Sequence, residues 1–254
     1  MKFKLLSNGW LILAALTIIT FGCEKEDEIP QFEEISFDSE AVLDNLPSAL
    51  KSSTDEYAQQ CVDDIESALD MSTFMDDMVP PEYAERTAKK ASGDTWSWTV
   101  SDGMMSYTFY WTYQEDNLKK YWTMDIQFGD SERYSYITAW ESKDGKQGEV
   151  MYNFNWISAY DGSSEDDYED LFWTYSWNID ASGNYKFVWN YDTSDPTYDY
   201  LMQYEVVVNS DGSGTIDYLY LDAKYYHMEW DTDGNGSWAY YSDGSEYMSG
   251  SWTV

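Results

Sequence analysis

A mainly β fold is predicted: a large antiparallel up-and-down meander curled into a barrel or half-barrel, with an N-terminal helical segment. Three observations predict it. First, rings recur at every second position, as in Leu171-Phe-Trp173-Thr-Tyr175-Ser-Trp177-Asn-Ile179, which makes one bulky apolar face and one hydroxyl and amide face in extended backbone. Second, Asp-Gly pairs at 102–103, 144–145, 211–212, 233–234 and 243–244 punctuate these runs, and Gly accepts the positive φ of a tight hairpin turn. Third, no stretch between the runs is long enough for a crossover helix, which parallel strands would need.

The elements follow in order. Residues 1–22 read as a signal peptide: Lys2 and Lys4 precede an uncharged apolar run, Leu11 to Phe21, too short for a membrane span. Residues 23–53 are acidic, contain Pro30 and Pro47, and read as a tether with a short helix near Ser39 to Leu46. Residues 54–91 form the helical segment. Ser53 and Glu56 suggest a capping box, and Ala58, Cys61, Val62, Ile65, Ala68, Leu69 and Phe74 recur at helical spacing as far as Met78, before Pro80-Pro81 stops the run. Its apolar stripe is expected to cover the sheet, and Glu82 to Ala91 is expected to add a helical turn.

Residues 94–254 carry about a dozen strands. Tyr107, Phe109, Trp111 and Tyr113 share a face, as do Trp122, Met124, Ile126 and Phe128, then Val150, Tyr152, Phe154 and Trp156, then Tyr185, Phe187, Trp189 and Tyr191. Gly236-Ser237-Trp238 recurs as Gly250-Ser251-Trp252, an echo that suits short hairpin repeats, and Ser97-Trp98-Thr99-Val100 recurs as Ser251-Trp252-Thr253-Val254, which brackets the sheet and suits first and last strands in like environments. The ring rows either face their equivalents across the curled sheet or line a cavity for an amphiphile or a sugar. On the second reading the ligand-binding residues are Tyr152, Phe154, Trp156, Trp173, Tyr175, Trp177, Phe187 and Trp189.

With 48 acidic residues against 14 Lys and Arg the formal charge is −34, which argues against a nucleic-acid partner. Aromatic residues make up 19% of the chain, so its core is built largely from rings. No catalytic motif occurs, and no enzyme activity is expected. The lone histidine, His227, alternates with strand residues and reads as structural; Glu205 and Asp217 are strand carboxylates expected on the wet face. No cofactor is expected beyond weakly bound Ca²⁺. Asp231, Asp233, Asn235 and Gly236 match the first half of an EF-hand loop, but Ser242 occupies the place of the bidentate Glu and strands flank it, so a plain turn is the competing reading. The acidic run Asp161 to Asp170 reads as a solvated loop.

The run Leu16-Thr-Ile-Ile-Thr-Phe-Gly-Cys23 resembles the lipobox of bacterial lipoproteins: Gly22 and Cys23 fit, while Thr20 and Phe21 depart from the commonest residues. Glu24-Lys25-Glu26-Asp27-Glu28 is similar to the Lys-plus-acidic export signal of Bacteroidota-type surface lipoproteins. The resemblance implies palmitate and related acyl chains on Cys23, membrane attachment through that anchor, and display at the outer membrane on the cell surface of a Gram-negative bacterium. Cys61 is then the one cysteine left, so no intramolecular disulfide is expected. A helix followed by a long meander is also topologically similar to the Lol-type lipoprotein carriers, whose half-barrel holds acyl chains, although the mid-sheet helices of that family find no room here. The partner is therefore expected to be a macromolecule or glycan met through exposed rings, or an apolar ligand carried inside the sheet.

Overall fold

Alternation is resolved into thirteen strands of one antiparallel sheet whose spatial order is the chain order. The computed structural model describes residues 39–70, 80–90, 93–101, 105–161, 171–193 and 201–254; the expectations for residues 1–38, for Phe74 and Met78, for Asp102-Gly103, and for the acidic run past Asp161 lie outside them. The sheet does not close: β1 (Glu85–Lys90) pairs only with β2 (Gly93–Ser101), and β13 (Ser245–Trp252) only with β12 (Gly236–Ser242). Between them run β3 (Ser106–Glu115), β4 (Lys119–Phe128), β5 (Arg133–Ser142), β6 (Gln147–Asn153), β7 (Leu171–Ile179), β8 (Tyr185–Thr193), β9 (Met202–Val208), β10 (Gly214–Tyr220) and β11 (Ala223–Trp230).

Two boundaries correct the reading of the sequence. Glu85 to Lys90 is strand, not a helical turn, so the sheet begins before residue 94. Its sequence, Glu-Arg-Thr-Ala-Lys-Lys, has no alternation to read, as befits a charged edge strand that discourages further pairing. Trp156 does not continue β6. It opens the helix Trp156–Asp161, which stands between β6 and β7, so the sheet does accommodate a short mid-sheet helix.

Among the described residues three helices precede the sheet: α1 (Ser39–Asn45), α2 (Ser48–Lys51) and α3 (Glu56–Asp70); Trp156–Asp161 is α4. Asp55, not Ser53, caps α3: its Oδ1 accepts the backbone N–H groups of Tyr57 and Ala58, while Ser53 Oγ accepts that of Asp55. Ala58, Cys61, Ile65, Ala68 and Leu69 are all buried, the stripe that the spacing foretold. Contacts with the sheet run along this stripe. Tyr57 stacks on Trp238 with ring centroids 4.2 Å apart, and the Tyr175 hydroxyl donates to the Ala68 carbonyl at 3.4 Å. Burial pushes the Cys61 thiol pKa far up, so this cysteine behaves as a small core residue and not as a nucleophile.

Cross-strand register collects the rings into rows. Tyr175, Trp189, Tyr204, Tyr218, Tyr226 and Tyr240 oppose one another in succession from β7 to β12. One step toward the next turns, Trp177, Phe187, Val206, Ile216, Met228 and Trp238 form a second row. Trp173 and Trp177 share the apolar face of β7, opposite Tyr152 and Gly148. The other face carries hydroxyls, with Thr95, Thr112, Thr123 and Thr138 in register and the Thr95 and Thr112 hydroxyls 3.1 Å apart.

The turns at the two ends of the sheet differ. At one end Gly145, Gly183, Gly212 and Gly234 are all at positive φ, and each Gly N–H returns to the carbonyl three residues earlier, in a four-residue loop at Gly145 and five-residue loops at the other three. At the other end Leu221-Asp222 and Asp243-Gly244 are two-residue turns with positive φ at both positions. Of the Asp-Gly pairs within the described residues, Asp243-Gly244 alone is the two-residue hairpin turn.

Trp side chains brace the first end. Trp177 Nε1 donates to the Gly145 carbonyl at 3.1 Å, Trp230 Nε1 to Gly212 at 2.8 Å, and Trp252 Nε1 to Gly234 at 2.8 Å. Each indole lies over a glycine of the neighbouring strand, Gly148, Gly214 and Gly236 respectively, where any Cβ would collide with the ring. This explains the Gly-Ser-Trp echo: Gly236 opposes Trp252 and Trp238 opposes Gly250, so each Trp fills the space above the other strand's glycine.

Candidate functional site

The candidate ring residues separate by burial. Tyr152, Tyr175, Trp177 and Phe187 are buried, and Tyr175 touches α3. Phe154, Trp173 and Trp189 are half-buried and meet one another, with Phe154 to Trp173 at 5.0 Å and Trp173 to Trp189 at 5.9 Å. Trp156 joins a different group, stacked on Phe128 at 6.2 Å. Cys23 lies outside the described residues.

Charged candidates are engaged with one another. Glu205 and Asp217 oppose each other on the hydroxyl-bearing face, Glu205 2.9 Å from Lys186 and Asp217 2.5 Å from Lys224 and 2.8 Å from His227 Nδ1. Burial works against the Asp217 charge, but hydrogen bonds from His227 and Lys224 outweigh it and hold the carboxyl below its usual range. Asp231 serves its own turn: Oδ1 accepts the N–H groups of Asp233 and Asn235 at 2.9 Å, and Oδ2 faces the Asn235 amide at 3.3 Å. Among the described residues no cluster of three or more His, Cys, Asp or Glu side chains is placed to hold a metal ion.

One carboxylate lies at the interface of helix and sheet. Burial, reinforced by Asp63, raises the Asp64 pKa to about 6, and Asp64 in turn adds to the upward shifts of Tyr204 and Tyr226, whose buried hydroxyls have no hydrogen-bond partner. Because the folded pKa stands above the unfolded value of about 3.9, this group's stabilising contribution is full below about pH 4 and is lost as pH rises through 6. Asp64→Asn is therefore expected to stabilise the fold at pH 7.5 by about 1–2 kcal/mol, discounted for partial exposure, and to change little at pH 4. Paired thermal melts at the two pH values check this.

Among the described residues, exposed rings gather elsewhere, at the tips of the last two hairpins. Here Tyr225 is an extra residue between Lys224, which opposes Leu219, and Tyr226, which opposes Tyr218. Tyr247 is likewise extra between Glu246, opposite Tyr241, and Met248, opposite Tyr240. Such bulges bend and twist a hairpin. The β11–β12 ladder stops at Tyr226 and Tyr240, so the two tips separate and leave a cleft of about 750 Å³ lined by Tyr220, Tyr225, Tyr241, Tyr247, Lys224 and Asp243. Tyr220 is 51% exposed, Tyr225 48% and Tyr247 60%, against 6% for Tyr226 one residue away. A smaller groove of about 510 Å³ at the opposite end of β10 to β12 is bordered by Trp230 and by polar residues such as Ser213, Thr215, Glu229 and Ser237.

Alternation alone misses this cleft, because a bulge places adjacent residues such as Tyr225 and Tyr226 against its rule. The signal that finds it is a longer recurrence. Asp211, Gly212, Gly214, Tyr218, Tyr225 and Trp230 are each followed 22 positions later by the same residue type, at Asp233, Gly234, Gly236, Tyr240, Tyr247 and Trp252. The two hairpins are equivalent in register, with Tyr220 and Ala223 flanking one turn as Ser242 and Ser245 flank the other.

Fold and cleft define a helix-backed open β-meander with an aromatic surface groove. No protein family model, curated protein or solved structure matches the chain.

Proposed function

We propose that this chain is a lipid-anchored surface lipoprotein of a Gram-negative outer membrane, a non-catalytic binding module that meets a macromolecular partner through the tyrosine cleft. The observation that carries this reading is the contrast in the rings: rows beneath α3 are packed against the helix, while Tyr220, Tyr225 and Tyr247 face solvent together. Tyr is well suited to such a surface, since it offers a large contact area with two side-chain torsions and a polar tip. The engagement of Glu205, Asp217, His227 and Asp231 in local ion pairs and turns supports a binding role over a catalytic one. The lipobox-like Gly22-Cys23 supports the anchor.

The anchor is tested by Cys23→Ser. The parent is expected to incorporate labelled palmitate and to sediment with membranes, and the variant to lose the label and appear in the soluble envelope fraction. Unchanged labelling in the variant would remove the anchor from the account. A carrier role in place of the cleft would appear as lipid retained by the purified protein in native mass spectrometry.

A further inference from the structure

We propose that the cleft takes an extended, proline-bearing peptide segment with basic flanking residues, held in the polyproline II conformation; this rests on the reading of the cleft as the binding surface. The rings there form a file, not a platform. Tyr225 and Tyr247 line the cleft, and the half-buried Tyr218 and Tyr240 at its border connect them: Tyr218, Tyr225, Tyr240 and Tyr247 follow one another with centroid separations of 5.5, 6.5 and 6.3 Å. The first two steps are nearly perpendicular, at 84° and 85°, so ridges alternate with slots. A sugar chain stacking on successive rings needs faces that lie roughly parallel. A proline ring instead enters a slot between ridges, and polyproline II advances about 3.1 Å per residue, so two residues span about 6 Å, the spacing of the file. Aromatic-lined grooves are a recurrent way of recognising this helix, whose stiffness lowers the entropy lost on binding.

Charge selects the flanks. Asp222, Asp243 and Glu246 are exposed around the tips, and the whole chain carries −34. The nearest cation, Lys224, is drawn to Asp217 at 2.5 Å. Elsewhere the chain places its own cations on rings, Lys119 Nζ 3.2 Å from the Trp140 centroid and Arg133 Cζ 3.4 Å from that of Tyr110. An incoming Arg finds the same two features at the tips, a carboxylate rim and tyrosine faces with solvent on them.

The test titrates the full chain in mild detergent with a twelve-residue peptide of repeating Pro-Pro-Arg, reading tyrosine and tryptophan fluorescence and calorimetry. Controls are a repeating Gly-Ser-Arg peptide of the same length and charge, and a neutral β-linked glucan oligosaccharide. Saturable binding of the Pro-Pro-Arg peptide is expected, weakened at least about tenfold by Tyr225→Ala and by Tyr247→Ala and unchanged by Tyr83→Ala, an exposed ring outside the cleft. Equal binding of the Gly-Ser-Arg peptide overturns the conformational part of the proposal. Binding of the oligosaccharide alone, still lost in Tyr225→Ala, overturns the peptide ligand and keeps the cleft. Binding of any probe that is indifferent to both tyrosine variants, each shown folded by its circular dichroism melt, overturns the cleft reading itself; no binding by any probe overturns the proposal.

Discussion

Gly236→Val is expected to destabilise the protein by about 3–5 kcal/mol, enough to lower the melting temperature by roughly 10 °C or more. A Cβ at position 236 meets both the Trp252 indole and the backbone carbonyl of Glu229 closer than atoms can approach. The indole could rotate away, though only by breaking its 2.8 Å bond to the Gly234 carbonyl. The carbonyl belongs to the neighbouring strand and cannot move without parting β11 from β12. The damage therefore reaches the turn, and beyond it α2, since Gly234 abuts the Leu50 backbone N–H. Gly244→Asn is the matched control: its surroundings are open and Asn accepts positive φ, so its cost should stay within about 1 kcal/mol. Thermal and urea unfolding of the two variants beside the parent measure the difference.

Ile65→Asp is expected to cost about 4 kcal/mol or more, because Ile65 is completely buried at the centre of the α3 stripe and an aspartate there must leave water. The helix then loses its hold on the ring rows, which gain solvent and should bind the dye ANS. Gln60→Asp adds the same charge on the exposed side of α3 and should shift stability by no more than about 0.5 kcal/mol. A small effect of Ile65→Asp, with no gain in dye binding, would mean that the helix does not cover the sheet in solution.

Much of this architecture was legible from period alone, since a ring at every second residue fixes which side of a strand is dry. Trp173 and Trp177 fall together for that reason, and the stripe of α3 follows from spacings of three and four. What alternation could not express is where it ends or stumbles. β1 reads Glu-Arg-Thr-Ala-Lys-Lys, so its six residues carry no alternation of apolar and polar. Alternation carries the ring row through Tyr152 on to Trp156, yet the chain turns after Asn153, where the Ile157 N–H returns to the Phe154 carbonyl. At the tips, a single extra residue in each hairpin turns Tyr225 and Tyr247 out of the pattern and opens the cleft. The strand carboxylates were placed on the wet face by alternation, but their pairing with Lys186, Lys224 and His227 depends on register between strands, which the sequence does not state.

Rings beneath α3 are interior, and rings at the hairpin tips are open surface. Graded tyrosine nitration of the full chain, mapped peptide by peptide, tests this most directly. Tyr220, Tyr225 and Tyr247 should react early while Tyr175, Tyr204 and Tyr226 stay protected until the protein unfolds; early reaction of the second group with protection of the first would overturn this division.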